Sequence, residues 1–208
     1  MKVPKNEAYR VDNIIHGREY AINDNRHRSR KLTVFDVGAN LGLYSLYIKM
    51  LYPDSLIFCF EPVPRTFELL HENLAGLQGI TLNRFGLFNE TKKEIIHIRP
   101  DNTGHSSIKL PLGGKVEQAK VKLKDSGMYF DSTGLEHLDI LKIDTEGCEV
   151  EILESLGRRL ERVDYVLVES HTKHDRREIN RILRGFRTIS DQSGEDGRGI
   201  IKYMNNRL

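Results

Sequence analysis

No apolar run in this 208-residue chain approaches the roughly 20 residues that a membrane-spanning helix needs, which excludes a helical membrane protein. Cysteine is scarce. Cys59 and Cys148 are too few for a disulfide framework, and the N-terminal MKVPKNEAYR lacks the apolar stretch of a secretory signal, so the expected setting is reducing and cytoplasmic. Net charge is low as well. A formal +2 gives no general basic field to attract nucleic acid. The local basic runs, Arg26 to Lys31 and Arg176 to Arg187, read as solvated faces. There is no internal repeat and no low-complexity tract. The chain is 38% hydrophobic and 30% charged, long enough for one sizeable core and too short for two ordinary domains. Residues 1–208 therefore read as a single domain.

Apolar runs of strand length alternate with segments of helical period, the pattern of a parallel sheet covered by helices on both faces, so the fold class is α/β. Strands are predicted at 32–37, 56–60, 80–85, 138–143 and 163–169. Helices are predicted after the first two, with Pro64 suited to a helix start, and again at 150–156 and 175–184. The alternation breaks at about 90–124, where short strands at 93–99 and 119–123 flank a Gly-, Ser- and Pro-containing stretch; this reads as an insertion beside the site. Strands at 186–189 and 199–204, separated by a turn-rich segment, predict a closing antiparallel hairpin. Residues 1–31 give no clear pattern.

Ligands of open α/β sheets bind beyond the carboxyl ends of the strands, where a strand turns into a helix. The segment Asp36-Val-Gly38-Ala39-Asn40-Leu-Gly42 lies at such a turn. Its glycines let the backbone turn tightly and approach a ligand, and helix N-terminal amides suit a carboxylate. Glu61 ends the second strand, placed to accept hydrogen bonds from both ribose hydroxyls of an adenosine. An NAD enzyme would share that feature, yet a dinucleotide loop wants Gly-x-Gly-x-x-Gly, and here Asn40 puts a side chain at the second glycine. Gly86 and Leu87 could edge an adenine pocket, or could equally be a turn and a core residue.

On these residues the sequence resembles the FkbM family of methyltransferases over roughly 32–169. Val34 to Gly42 looks like the family's first motif, Phe60-Glu61-Pro62 like its ribose-binding motif, and Ser106-Ser107 like its paired serines. Leu141-Lys-Ile-Asp144-Thr-Glu146-Gly-Cys-Glu149 looks like its most specific signature. His105, Thr145 and Cys148 depart from the usual choices, which bears on substrate detail. The resemblance implies a Rossmann-like class I fold, a mostly parallel seven-stranded sheet with the terminal antiparallel hairpin inserted in it and helices on both faces. It also implies S-adenosyl-L-methionine as cofactor and O-methylation of a hydroxyl on a small molecule or glycan.

Methyl transfer from a sulfonium needs an aligned acceptor and a base for its proton. Asp144, at the end of the fourth core strand, is the first candidate and Glu146 the second; either could instead cap the helix that follows. His105, Glu169 and His171 are secondary candidates. His171-x-x-His174 with Asp144 or Glu146 could supply metal ligands, but the spacing is not diagnostic and no metal is assigned. Two further classes stay open: methylation of nucleic acid or protein, and an NAD-dependent oxidoreductase or nucleotide-binding domain. Asp-Thr-Glu-Gly after the fourth strand argues against base methylation, which usually shows Asn or Asp followed by Pro-Pro and an aromatic residue.

Overall fold

The computed structural model describes residues 2–4, 8–15, 19–22, 31–99, 102–107 and 116–208, with backbone alone for 102–107. In chain order the first elements are α1 (Ala8–Ile15), β1 (Thr33–Val37), α2 (Leu43–Leu51), β2 (Leu56–Phe60), α3 (Pro64–Leu74) and β3 (Ile80–Asn83). Next come β4 (Gly86–Phe88), β5 (Lys92–Arg99), β6 (Asn102–Ser107), β7 (Glu117–Asp125) and α4 (Ser126–Ser132). The chain continues through β8 (Leu138–Ile143), α5 (Glu149–Leu156), a 3-10 turn (Gly157–Arg162), β9 (Val163–Ser170) and α6 (Lys173–Ile182). It closes with β10 (Phe186–Asp191) and β11 (Gly199–Asn205).

Seven strands form the main sheet in the order β10-β11-β9-β8-β1-β2-β3. The five from β3 to β9 run parallel, while β11 lies antiparallel between β9 and β10, so the expected hairpin is present and is inserted in the sheet. Every residue of β8 is buried, as a strand covered on both faces requires. Alternate side chains feed two cores. Phe35, Val37, Leu141 and Ile143 point to one face and pack with α5 and Phe130 of α4; Val34, Ile140 and Leu167 point to the other, with Tyr20, Tyr44 and Leu70. Emptying one of these positions to alanine costs about 2–5 kcal/mol.

The stretch expected as an insertion forms most of a second sheet, ordered β4-β7-β5-β6. Three elements in and beside it escape the sequence pattern. β4 is only three residues long and begins just past the strand predicted at 80–85, which itself ends at Asn83. β6, of sequence NTGHSS, is poor in strand-forming residues and owes its conformation to antiparallel pairing with β5. α4 is one short helix capped by Asp125, whose carboxylate accepts from the Met128 amide at 2.7 Å. α6 begins two residues earlier than predicted because Thr172 is its cap, accepting from the Asp175 amide at 3.1 Å. No helix among the described residues is long and apolar enough to cross a membrane.

Candidate active site

The loop between β1 and α2 alternates left-handed residues: Gly38 at φ +74, Asn40 at +50 and Gly42 at +82. Asparagine is among the few side chains that enter this region at small cost, which explains how it stands between two glycines. A Cβ on Gly38 would sit 1.8 Å from the carbonyl oxygen of Asp144. The ends of β1 and β8 can meet only because none is there. The Gly38 and Ala39 amides both donate to the Phe60 carbonyl at 3.0 Å, and the Asn40 amide donates to Glu61 at 3.1 Å. These three therefore shape the loop around the end of β2. No side chain caps α2 at Gly42, so its first turn is where a ligand carboxylate would find amides.

Glu61 is 6% exposed and also accepts from the Val63 amide at 2.9 Å. Burial pushes its carboxyl up to about 7, against the opposing pull of the two amides. Gly86 and Leu87 lie in β4. Leu87 is 2% exposed within the core, so only the backbone of this pair could edge a ligand.

Beneath the loop runs a buried chain of charge. Asp36, fully buried, accepts from Ser45 Oγ at 2.7 Å and faces Lys142 Nζ at 3.1 Å. Lys142 also donates to the Gly38 carbonyl at 2.8 Å and lies 3.7 Å from Asp144. Burial works against its charge, but Asp36 and Asp144 outweigh it and hold the ammonium above its ordinary range. Asp36 thus acts from within, fixing the lysine that joins the loop to β8. Tyr20 completes the chain by donating its hydroxyl to Asp144 at 3.0 Å. A small pocket lies where Tyr20, Asn40, Tyr44, Lys142 and Asp144 converge.

Four carboxylates gather at the ends of β8 and β9. Glu146 holds a left-handed backbone at φ +56 and lies 3.8 Å from His171 Nδ1. Its carboxyl is pushed up to about 7 by burial and by Asp144, against His171 and Arg198. Glu169 shares a hydrogen bond with Asp144 and is held well above the usual carboxylate range by burial and that neighbour. Burial opposes a charge on His171, yet Glu149, Glu169 and Glu146 raise its proton affinity. Glu149 accepts from the Thr145 amide at 2.9 Å, the Thr145 hydroxyl at 3.0 Å and the Gly147 amide at 3.2 Å.

The structure thus brings together Asp36, the Gly38–Gly42 loop, Glu61, Asp144, Glu146, Glu169 and His171. His174 is exposed on α6 and stands outside the carboxylate cluster. His105, Ser106 and Ser107 fall in β6, where their side chains lie outside the described structure. Tyr20 and Lys142 were not singled out from sequence, and Glu149 stood there only as the last residue of the family signature, with no role. For Lys142 the signal was a lone cation inside an apolar strand, since buried lysine is almost always paired; Tyr20 had no such signal.

A family model described as "Methyltransferase FkbM domain" matches residues 36–207. Methyltransferase sdnD of Sordaria araneosa is 32% identical over 170 residues, covering 66% of this chain and 65% of that protein. Hexuronic acid methyltransferase AglP of Haloferax volcanii is 26% identical over 151 residues, covering 72% of this chain and 60% of its own. This chain therefore spans somewhat under two thirds of either relative. Among solved structures, the Methanococcus jannaschii fibrillarin pre-rRNA processing protein superposes with a TM-score of 0.51 at 13% identity, covering 85% of this chain and 67% of that one. A putative rRNA-methylase from Clostridium thermocellum gives 0.51 at 9% identity over 99% and 98%. Those two likenesses carry the fold alone, a Rossmann-like class I methyltransferase fold. With the sheet order and the match over residues 36–207 in agreement, this chain belongs to the FkbM family of methyltransferase domains.

Proposed function

We propose that this chain binds S-adenosyl-L-methionine and transfers its methyl group to a hydroxyl of a small molecule or glycan. The observation that carries the reading is the crevice itself, with Glu61 against the loop on one side and Asp144 with Glu146 on the other. Glu61 would take the ribose hydroxyls, the uncapped first turn of α2 the carboxylate, and the pocket between Tyr20 and Asn40 the amino-acid end. When bound, the cofactor supplies a methyl group on a sulfonium, and the carbon–sulfur electron pair returns to sulfur as the acceptor oxygen takes the methyl. The protein must then receive one proton. Asp144 and Glu146 stand where the strand ends open, and Tyr20 and Lys142 hold Asp144 in place. The hydroxyl acceptor is supported by relatives whose names specify it, a 2-O-methyltransferase NoeI and a 31-O-demethyl-FK506 methyltransferase FkbM. AglP, named for a hexuronic acid, favours a glycan.

Asp144→Asn combined with Glu146→Gln is expected to lower kcat by about 100-fold or more while leaving the affinity for S-adenosylhomocysteine within about threefold. Unchanged turnover in that double variant would remove the proton-accepting role from both.

Glu61 gives the site a pH dependence of definite sign. Its ionised form accepts hydroxyl donors best, so affinity for S-adenosylhomocysteine is expected to rise roughly tenfold from about pH 6 to about pH 8 around the carboxyl at about 7. Folding of the ligand-free chain runs the other way. The neutral carboxyl contributes stability in full below the ordinary value of 4.5 and loses it as pH climbs through about 7. Calorimetric titrations across that range check the first effect, and Glu61→Gln is expected to flatten it.

A further inference from the structure

The ends of β8 and β9 place three ligand-type side chains around one point. One carboxylate oxygen each from Asp144 and Glu169 and one ring nitrogen of His171 all lie within 4.8 Å of one another. Donors on a single ion, at bonds of about 2.1–2.3 Å, stand roughly 3–4.5 Å apart, so the three need little adjustment to share one.

Two features point to an occupant. The His171 side chain is 3% exposed, and its Nε2, although 3.3 Å from Glu149, has no well-aligned hydrogen bond. The imidazole is thus buried with Nε2 turned toward Glu149 and Nδ1 toward Glu146 and Arg198. Glu149, 1% exposed and fixed by three donors from the loop, stands behind the ring as outer carboxylates do behind metal-ligating histidines. Charge points the same way. Among the described residues, Asp144, Glu146, Glu149 and Glu169 crowd together around His171 and Lys142, and Lys142 also serves Asp36. Arg198, at 3.4 Å from Nδ1, reaches in from the exposed side and would be displaced. The one other such cluster among the described residues, His137 with Asp139 and Asp164, differs: there Arg207 stands 3.2 Å from Asp164 and supplies the cation.

We propose that Asp144, Glu169 and His171 bind a divalent cation of the magnesium or manganese kind at the acceptor end of the crevice. Two carboxylates and one imidazole suit such an ion, and three protein ligands leave positions open for a hydroxyl. The inference rests on the proposed function only for the ion's purpose. A hydroxyl on the ion is more acidic; its oxygen takes the methyl, its proton passes to Glu146, and the carbon–sulfur pair stays on sulfur.

Mn2+ alone, titrated into the full cofactor-free chain and followed by electron paramagnetic resonance, tests the site without reference to activity. Saturation at one ion per chain is expected. Glu169→Gln and His171→Ala should each weaken it at least tenfold, with circular dichroism reporting an intact fold. Glu178→Gln, a half-buried residue of α6 paired with Arg181 and outside the cluster, should leave it unchanged. Absence of a saturable site in the folded chain, or one that survives Glu169→Gln, overturns the proposal. S-adenosylhomocysteine binding is measured in the same samples. If it persists without Mn2+ binding, the ion alone is refuted; if Mn2+ binds and it does not, the ion stands and the methyltransferase reading fails.

Discussion

Gly38→Ala is expected to abolish binding of S-adenosylhomocysteine and to destabilise the fold by about 4 kcal/mol. Two separate terms add at this position. The backbone is left-handed at φ +74, which costs an L-residue roughly 1–2 kcal/mol. The new Cβ would then stand 1.8 Å from the Asp144 carbonyl oxygen, a backbone atom that cannot swing aside. Relief requires parting the loop from the end of β8, where the Asp144 amide donates to the Val37 carbonyl at 3.1 Å and Lys142 donates to the Gly38 carbonyl. Both halves of the crevice would move. Gly134 supplies the control, because it has a similar φ of +67 and nothing within 4 Å of the place a Cβ would take. Gly134→Ala should therefore show only the backbone term, about 1–2 kcal/mol, and leave ligand binding unchanged. Denaturant unfolding and a calorimetric titration on the two variants separate the terms.

Lys142→Met is the second large effect, with an expected loss of about 3–5 kcal/mol and a Tm fall of roughly 10 °C. Methionine has nearly the same length and fills the same space, so packing changes little. What is lost is the partner of Asp36, which is fully buried and keeps only the Ser45 hydroxyl. An uncompensated carboxylate at that depth is the expensive outcome, not the missing attraction. Adding Asp36→Asn to Lys142→Met should therefore recover at least half of the loss, whereas two independent defects would add. Scanning calorimetry on the single and double variants decides between these outcomes.

The parallel core was legible because its strands are apolar on both faces. The runs at 56–60 and 138–143 have the same bounds in sequence and structure, since no competing pattern crosses them. Elements that depend on partners were not. β6 exists through its pairing with β5, and α1 lies in a segment whose spacing showed no period. The same division holds for the site. Gly38, Asn40, Gly42 and Glu61 sit at strand ends, where local order and the topology of α/β sheets point to a ligand. Tyr20 reaches Asp144 across 124 positions of sequence, and only the assembled fold brings them together. His171 could be grouped with Asp144 from sequence, but that Glu169 and not His174 completes the group is a property of two neighbouring parallel strands.

The most direct test of the crevice is a pair of calorimetric titrations on the folded chain, one with S-adenosylhomocysteine and one with NAD. Saturable binding of S-adenosylhomocysteine at one molecule per chain, weakened at least tenfold by Glu61→Ala, with no saturable heat from NAD, is the expected result. Saturable NAD binding in a chain that ignores S-adenosylhomocysteine would contradict it.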